Sequence, residues 1–404
     1  MGNKRKTIGP HTAACGRALS ILAVVGLCAL ALLMAQPASA QSYTVLYSFQ
    51  CGPNDGEYPE SGLALDASGN LYGTTAAGGA KSHGTAFKLS AEGAETVLHS
   101  FAGAPNDGAA PGYGALARDA AGNLYGTTSN GGTQNVGIVF KLAPNGRETV
   151  LANLSGSNGY AYSGVIRDSA GNLYGTGYGA GRDDFGSVFK LTPARILNTL
   201  YTFLPASDGQ HPVGGLVRDS LGNLYGTTEA GGTSEAGTVF EVSTDGSEGA
   251  YSLTKHEGGA PEAGLIRDGA GNLYGTTSAG AASNYGSVFR VSATGTIAVM
   301  HSFTGSPDGA TPYSGLVRDP TGNFYGVTFY GGTGTCSDAI GLGCGTIFEI
   351  TSSGKESVLY SFTGTPDGSG PTGSALLRDK SGDLYGTTTY GGTYGCGTVF
   401  KYTP

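Results

Sequence analysis

From residue 43 onward the apolar positions fall in short runs rich in Val, Thr, Tyr and Phe, each bounded by Gly, Pro, Asp or Asn. Runs of that length and composition predict strands, and no window long enough for a helix holds a sustained 3.6-residue apolar period. The runs come in groups of four. In one group they are Gly315 to Asp319, Phe324 to Thr328, Thr346 to Ile350 and Ser357 to Phe362.

The grouping reflects an internal repeat. A marker of the form Gly-Asn-Leu-Tyr-Gly places its Asn at Asn70, Asn123, Asn172, Asn223, Asn272 and Asn323, and a seventh copy reads Gly382-Asp383-Leu384-Tyr385-Gly386. The spacings are 53, 49, 51, 49, 51 and 60 residues, a period that fits four short strands with their turns. Four-stranded units repeated radially make a β-propeller. The chain opens on Val45 to Phe49, which matches the fourth strand of a unit, and its last run, Gly397 to Tyr402, matches the third. The expected fold is therefore all-β: a seven-bladed β-propeller closed by N-terminal strand pairing with the last blade. An open solenoid would gain nothing from that phase shift and would need capping segments.

The first forty residues follow a different pattern. Lys4, Arg5, Lys6 and Arg17 precede an apolar run from Ala18 to Met34, and Ala38-Ser39-Ala40 offers a small-x-small cleavage site. Residues 1–40 read as a signal peptide, with 41–404 as a single domain. The apolar run is slightly short for a spanning helix, and no membrane insertion of the mature chain is expected. Without residues 1–40 the chain keeps 18 basic and 30 acidic groups, an excess that repels phosphate backbones and argues against nucleic-acid partners. Glycine reaches 73 of 404 residues, but with no G-X-Y period these are turn residues, not collagen.

The repeated wording carries two resemblances. Pro261 to Tyr274, read as Pro-x-x-Gly-Leu-x-x-Asp-x-x-Gly-Asn-Leu-Tyr, is similar to the strand-turn-strand of NHL-type propellers. The fuller pattern adds Thr-Thr after the marker, a Gly-Gly loop, Gly-Thr-Val-Phe-Lys-Leu, Val-Leu-Tyr-Ser-Phe and an Asp-Gly turn. Over residues 43–403 it resembles the GloVer-type tandem repeats of exported bacterial proteins. That resemblance implies a periplasmic, extracellular or cell-surface protein without an established activity, sometimes bearing a C-terminal surface-sorting signal. This chain departs by ending on its last repeat strand.

Residue types present in every copy serve the blade. Asp66, Asp119, Asp168, Asp219, Asp268, Asp319 and Asp379 read as turn formers, Arg118 and its five equivalents as packing or ion-pair residues, and Phe87 with its six equivalents as wedge fillers. His99 and His301 stand where other copies have Tyr47, Tyr201, Tyr251 and Tyr360, so they read as strand residues. His83, His211 and His256 lie in loops without metal-ligand spacing. No nucleophile elbow, Walker loop or His-Glu-x-x-His is present. No catalytic residue, metal or cofactor is predicted.

Candidate function lies where the copies differ. Ten residues before each marker Asn or Asp, at the expected channel mouth, stand Glu60, Tyr113, Tyr162, Val213, Glu262, Tyr313 and Gly373, each followed by a small residue. Glu60, Tyr113, Tyr162, Glu262 and Tyr313 are the candidate ligand-binding set, with rings for stacking and carboxylates for hydroxyl or cation recognition. Phe329, Tyr330, Tyr390 and Tyr394 are candidates for an outer rim. Two functions stay open: a non-catalytic binding or scaffold module for extracellular glycan or protein, and a lactonase- or lyase-like enzyme of the kind the NHL resemblance implies. Four cysteines remain after residue 40, a number suited to an oxidising compartment. Cys336 and Cys344 share one enlarged loop, and the expected strand closure brings Cys51 beside Cys396, so these are the expected disulfides.

Overall fold

The computed structural model describes Gly2 and residues 41–179, 184–204, 208–336 and 343–404. The expected signal peptide, residues 1–40, lies outside them apart from Gly2. The regular elements are strands, arranged in seven antiparallel blades, one per repeat. Blade 1 comprises Ala64–Leu65, Leu71–Thr75, Thr85–Leu89 and Glu95–Ser100, in order from the channel outward. Blades 2 to 6 repeat this arrangement over residues 117–153, 166–202, 217–252, 266–302 and 317–361.

Blade 7 is completed by the other end of the chain. Ser369–Arg378, Leu384–Tyr390 and Thr398–Thr403 take Ser42–Ser48 as their outer strand, with Ser42 opposite Thr403 and Ser48 opposite Thr398. Both expected disulfides are formed. Cys51–Cys396 stands beside this closing pair, and Cys336–Cys344 ties the base of the long blade 6 loop.

The marker glycine and the third-strand phenylalanine face each other across every blade: Gly73 pairs with Phe87, Gly226 with Phe240, Gly386 with Phe400. A Cβ on any of the seven glycines would meet the opposing ring at 2.5–2.8 Å. The ring therefore lies across its own blade, where any side chain would displace it. The opposite side of the ring meets the next contact in the stack, the residue that follows the preceding blade's outer strand. Phe49, Phe101, Phe203, Phe303 and Phe362 lie edge to face on Phe87, Phe140, Phe240, Phe348 and Phe400 at 5.0–5.3 Å. All ten rings are fully buried. The core is thus seven wedges, one between each pair of neighbouring blades.

Two further contacts tie blade to blade. Arg118, Arg167, Arg218 and Arg267 hold their guanidinium groups 5.7–6.0 Å over Tyr72, Tyr125, Tyr174 and Tyr225 of the preceding blade, so that of packing and ion pair the former describes them, as a cation–π contact. In the turn beneath, Asp66 Oδ1 accepts from the Ser68 and Asn70 amides and Oδ2 from the Asn70 side chain and the Tyr72 hydroxyl. Burial pushes the Asp66 carboxyl up, but these four bonds outweigh it and hold the group at about 2.

In blades 1 to 6 the innermost strands are shorter than the sequence suggests, Val317–Arg318 spanning two residues where five are expected, whereas blade 7 has the ten-residue Ser369–Arg378. The cause is crowding at the axis. A Cβ on Gly114 would fall on the backbone of Gly164 in the next blade, and Gly315 bridges Ala375 across blades 6 and 7. The same crowding explains why the residue after each mouth position is small.

Two outcomes follow. Gly226→Ala drives a methyl into Phe240 and is expected to cost about 1–3 kcal/mol in denaturant unfolding, while Phe240→Ala costs about 3–5 kcal/mol. A marker glycine that accepts Ala without loss would contradict the opposed-pair account. Deleting residues 41–50 removes the outer strand of blade 7 and leaves Cys51 without the paired strand that sets it beside Cys396. The thermal midpoint should fall by well over the about 2–4 °C that a loss of 1 kcal/mol brings in a large domain, and further in a Cys51→Ser version of the deletion, which also loses the 345-residue link that chain entropy puts at about 6 kcal/mol as an upper figure.

Candidate functional site

The short inner strands deliver the varied residues to one end of the channel. Glu60, Tyr113, Tyr162, Glu262 and Tyr313 line a single cavity of about 250 Å³, together with Val213, Ala263, Phe329, Thr372 and Gly373. The loops that follow the outer strands open on the same face as the Gly-Gly loops and pair with them as two-stranded ribbons, such as Gly56–Glu57 with Ala77–Gly78. These ribbons form the wall around the mouth.

Each ribbon is set by one unusual backbone position. Tyr58, Ala110, Tyr160, His211, Ala260, Thr311 and Gly370 all adopt φ between 50° and 60°. In each, the amide donates to a carbonyl of the preceding blade, as in Tyr160 N to Val136 O at 2.7 Å, and in most the carbonyl accepts from its own blade's second loop. The left-handed turn costs about 1 kcal/mol per non-glycine copy. It also aims the chain inward, so that the mouth residues face the axis.

Aromatic rings flank the cavity in two arcs. Tyr113, Tyr162 and Tyr178 run in successive edge-to-face contacts at 5.3 and 5.0 Å, and Tyr178 stacks on His211 at 4.5 Å. Tyr313, Phe329, Tyr390 and Tyr58 form the other arc at 5.5, 6.4 and 5.6 Å. Of the rim candidates, Phe329, Tyr330 and Tyr390 are contiguous and line a second cavity of about 490 Å³ that Phe329 shares with the mouth. Tyr394 is exposed and makes no ring contact with them among the described residues.

The sequence does not single out Tyr178, Glu229 or Tyr58, and His211 reads there only as a loop residue. A signal for the first two was present: six residues after each marker Asn or Asp stand Ala76, Ser129, Tyr178, Glu229, Ser278, Phe329 and Thr389, as variable as the mouth position.

Burial pushes the Glu60 carboxyl up to about 7. Glu262 also reaches about 7, through burial first and the Glu229 charge second, against the 2.7 Å bond it accepts from Ser278 Oγ. Each is therefore a mixture of acid and carboxylate near neutral pH, able to donate as well as accept. Burial, then the Glu60 charge, lifts the Tyr113 hydroxyl to about 12, so it stays neutral. The mouth offers hydroxyls and half-protonated carboxyls set between aromatic faces, an arrangement for polar, uncharged groups.

Carboxyls raised above their unfolded value stabilise the fold fully below the unfolded value and lose that contribution as pH rises through the folded one. Glu60 and Glu262 behave so, as do Glu95, Glu148 and Glu248, each at about 7 chiefly through burial. Asp66 has the opposite sign, and its contribution is lost as pH falls toward about 2. The thermal midpoint should therefore be higher at pH 4.5 than at pH 7.5 and drop again below pH 3. Glu60→Gln with Glu262→Gln should flatten the descent above pH 5. A midpoint that climbs from pH 5 to 8 would contradict this.

Among solved structures, a streptogramin B lyase matches with a TM-score of 0.57 over 90% of this chain and 97% of the lyase, at 13% identity. The extracellular domain of a putative hybrid two-component system from B. thetaiotaomicron gives 0.56 over 90% of this chain and 41% of that one, at 15% identity. A fungal alcohol oxidase in complex with copper gives 0.54 over 90% and 76%, at 14% identity. At such identities the likeness is one of fold. No curated protein matches in sequence. The model of the Gloeobacter/Verrucomicrobia repeat matches residues 32–166 and 114–340, which span the marker copies from Asn70 to Asn323 and agree with the blade-by-blade repetition. By its repeats and their fold, the chain belongs to the Gloeobacter/Verrucomicrobia repeat family.

Proposed function

We propose that residues 1–40 direct export and that residues 41–404 act as one non-catalytic binding module for extracellular glycan, taking a single sugar unit at the channel mouth. The observation that carries this reading is the mouth cavity itself. Its volume of about 250 Å³ lies below that of a drug-sized site and suits one small ring. Tyr113, Tyr162 and Tyr313 supply faces for stacking and neutral hydroxyls, and Glu60 and Glu262 match a sugar's alternating donors and acceptors. The adjoining cavity beside Phe329, Tyr330 and Tyr390 gives room for a second unit of the same glycan. Export is supported by the two disulfides and by the extracellular propeller of similar fold.

One observation favours a second reading, a lyase- or lactonase-like enzyme: two carboxyls held near 7 in one cavity are suited to general acid and base work.

A glycan array followed by tyrosine fluorescence titration tests the first reading, helped by the absence of Trp. The triple variant Tyr113→Ala, Tyr162→Ala, Tyr313→Ala should keep its circular dichroism spectrum and lose about 100-fold in glycan affinity. Unchanged affinity in the folded variant would overturn the assignment of the mouth. Turnover of a lactone or lactone-ring antibiotic, lost in the Glu60→Gln, Glu262→Gln variant, would replace binding by catalysis.

A further inference from the structure

Away from the channel, the outer strands carry a second set of polar groups. In blade 1, Tyr47 of the preceding outer strand donates to Asp55 Oδ2 at 2.8 Å, and in blade 4 Tyr201 donates to Asp208 Oδ2 at 2.6 Å. At the junctions of blades 1 with 2 and 5 with 6, the same place holds a histidine. His99 Nε2 lies 3.0 Å from Asp107 Oδ2, and His301 Nε2 lies 3.2 Å from Asp308 Oδ2. The outer strand of the next blade then adds a glutamate, Glu148 in one case and Glu356 in the other. In each trio the three ligand atoms all lie within 4.8 Å of one another.

We propose that His99, Asp107 and Glu148, and likewise His301, Asp308 and Glu356, are two zinc sites, each clamping the outer edges of adjacent blades.

The chemistry of the trio supports this. One imidazole and two carboxylates make a donor set suited to Zn²⁺, and their summed charge of −2 is cancelled by the ion. Bonds of about 2.0–2.1 Å in a tetrahedron put ligand atoms about 3.3 Å apart, so only the long glutamate side chain has to move inward. Glu148 Oε1, Glu356 Oε1 and Asp308 Oδ1 are buried with no hydrogen-bond partner, an arrangement that an ion would satisfy.

The sites are also preorganised. Asp107 is held by the Ala102 and Gly108 amides at 2.8 and 2.7 Å, and Asp308 by the Thr304 amide and hydroxyl, both at 3.0 Å. His99 and His301 rest edge to face on Phe101 and Phe303 at 4.7 and 4.8 Å. Outer-shell contacts of this kind orient ligands. Both imidazoles keep 20% of their side-chain surface, enough for an ion to enter and for water to take the fourth position.

The protein contains its own control. Glu95 and Glu248 stand beside Asp55 and Asp208 with the same orphaned Oε1, so the carboxylate pair alone belongs to the blade. What differs is Tyr47 and Tyr201, whose hydroxyls are pushed up, by burial first and then by the neighbouring carboxylates, and remain donors. Of these four copies, the two with histidine offer an imidazole nitrogen, a far better zinc ligand than a neutral phenol.

The test is zinc stoichiometry on untagged protein, stripped with chelator, dialysed against micromolar Zn²⁺ and measured by plasma mass spectrometry. Two zinc ions per chain are expected, one in His99→Tyr, one in His301→Tyr and none in the double variant, each carrying the residue that other blades use at that position. Zn²⁺ should raise the thermal midpoint of the wild type and leave that of the double variant unmoved. Should the tyrosine variants fail to fold, Glu148→Gln and Glu356→Gln give the same series. No zinc in the wild type, or two ions in the double variant, overturns the proposal.

Discussion

A glycine facing a phenylalanine, repeated in every blade, is the contact on which the rest of the molecule depends. Without a Cβ at Gly226, the Phe240 ring lies across its own sheet and still presents an edge-accepting face to Phe203 of the preceding blade. The spacing between blades is then set by ring thickness and is the same wherever the pair recurs. Where the partner ring is missing, Leu154 and Leu253 fill the same place and are as fully buried. A packed aromatic stack tolerates little variation in volume, which accounts for the monotony of the repeat.

Regular spacing has a second effect, at the axis. Because the wedges fix where each blade sits, the inner strands approach until backbone meets backbone, and only small residues fit there. The side chains just above that constriction lie outside the repeated core, and their contacts, such as Tyr113 on Tyr162, differ from blade to blade. Glu60, Tyr113, Val213 and Gly373 are equivalent positions with nothing in common chemically. The scaffold thus separates the invariant letters, which pack the wedges, from two positions per repeat that are free to vary.

Much of this was legible in the sequence because it is periodic. The marker, its spacing and the phase shift between the ends yielded the seven blades, the closing strand and both disulfides. Features that depend on a neighbouring blade were harder to read. The two-residue inner strands of blades 1 to 6 reflect crowding among seven inner segments that no single repeat reveals. Tyr178 comes beside Tyr162 and Glu229 acts on Glu262 because the second loops are drawn in against the left-handed residues, as in Tyr178 N to Tyr160 O, a pairing without a local signal. His99 looked like a tyrosine substitute, which it is. Its glutamate, however, arrives from the next repeat, and linear spacing rules for metal ligands do not extend so far along a chain.

The link between Cys51 and Cys396 joins residues 345 apart. Under tension the consequence is mechanical. A force that pulls Ser42 from Thr403 unzips the antiparallel pair bond by bond from that end and is then borne by one sulfur–sulfur bond. The other six blades carry no load, and the ring cannot be unwound from its ends while that bond survives.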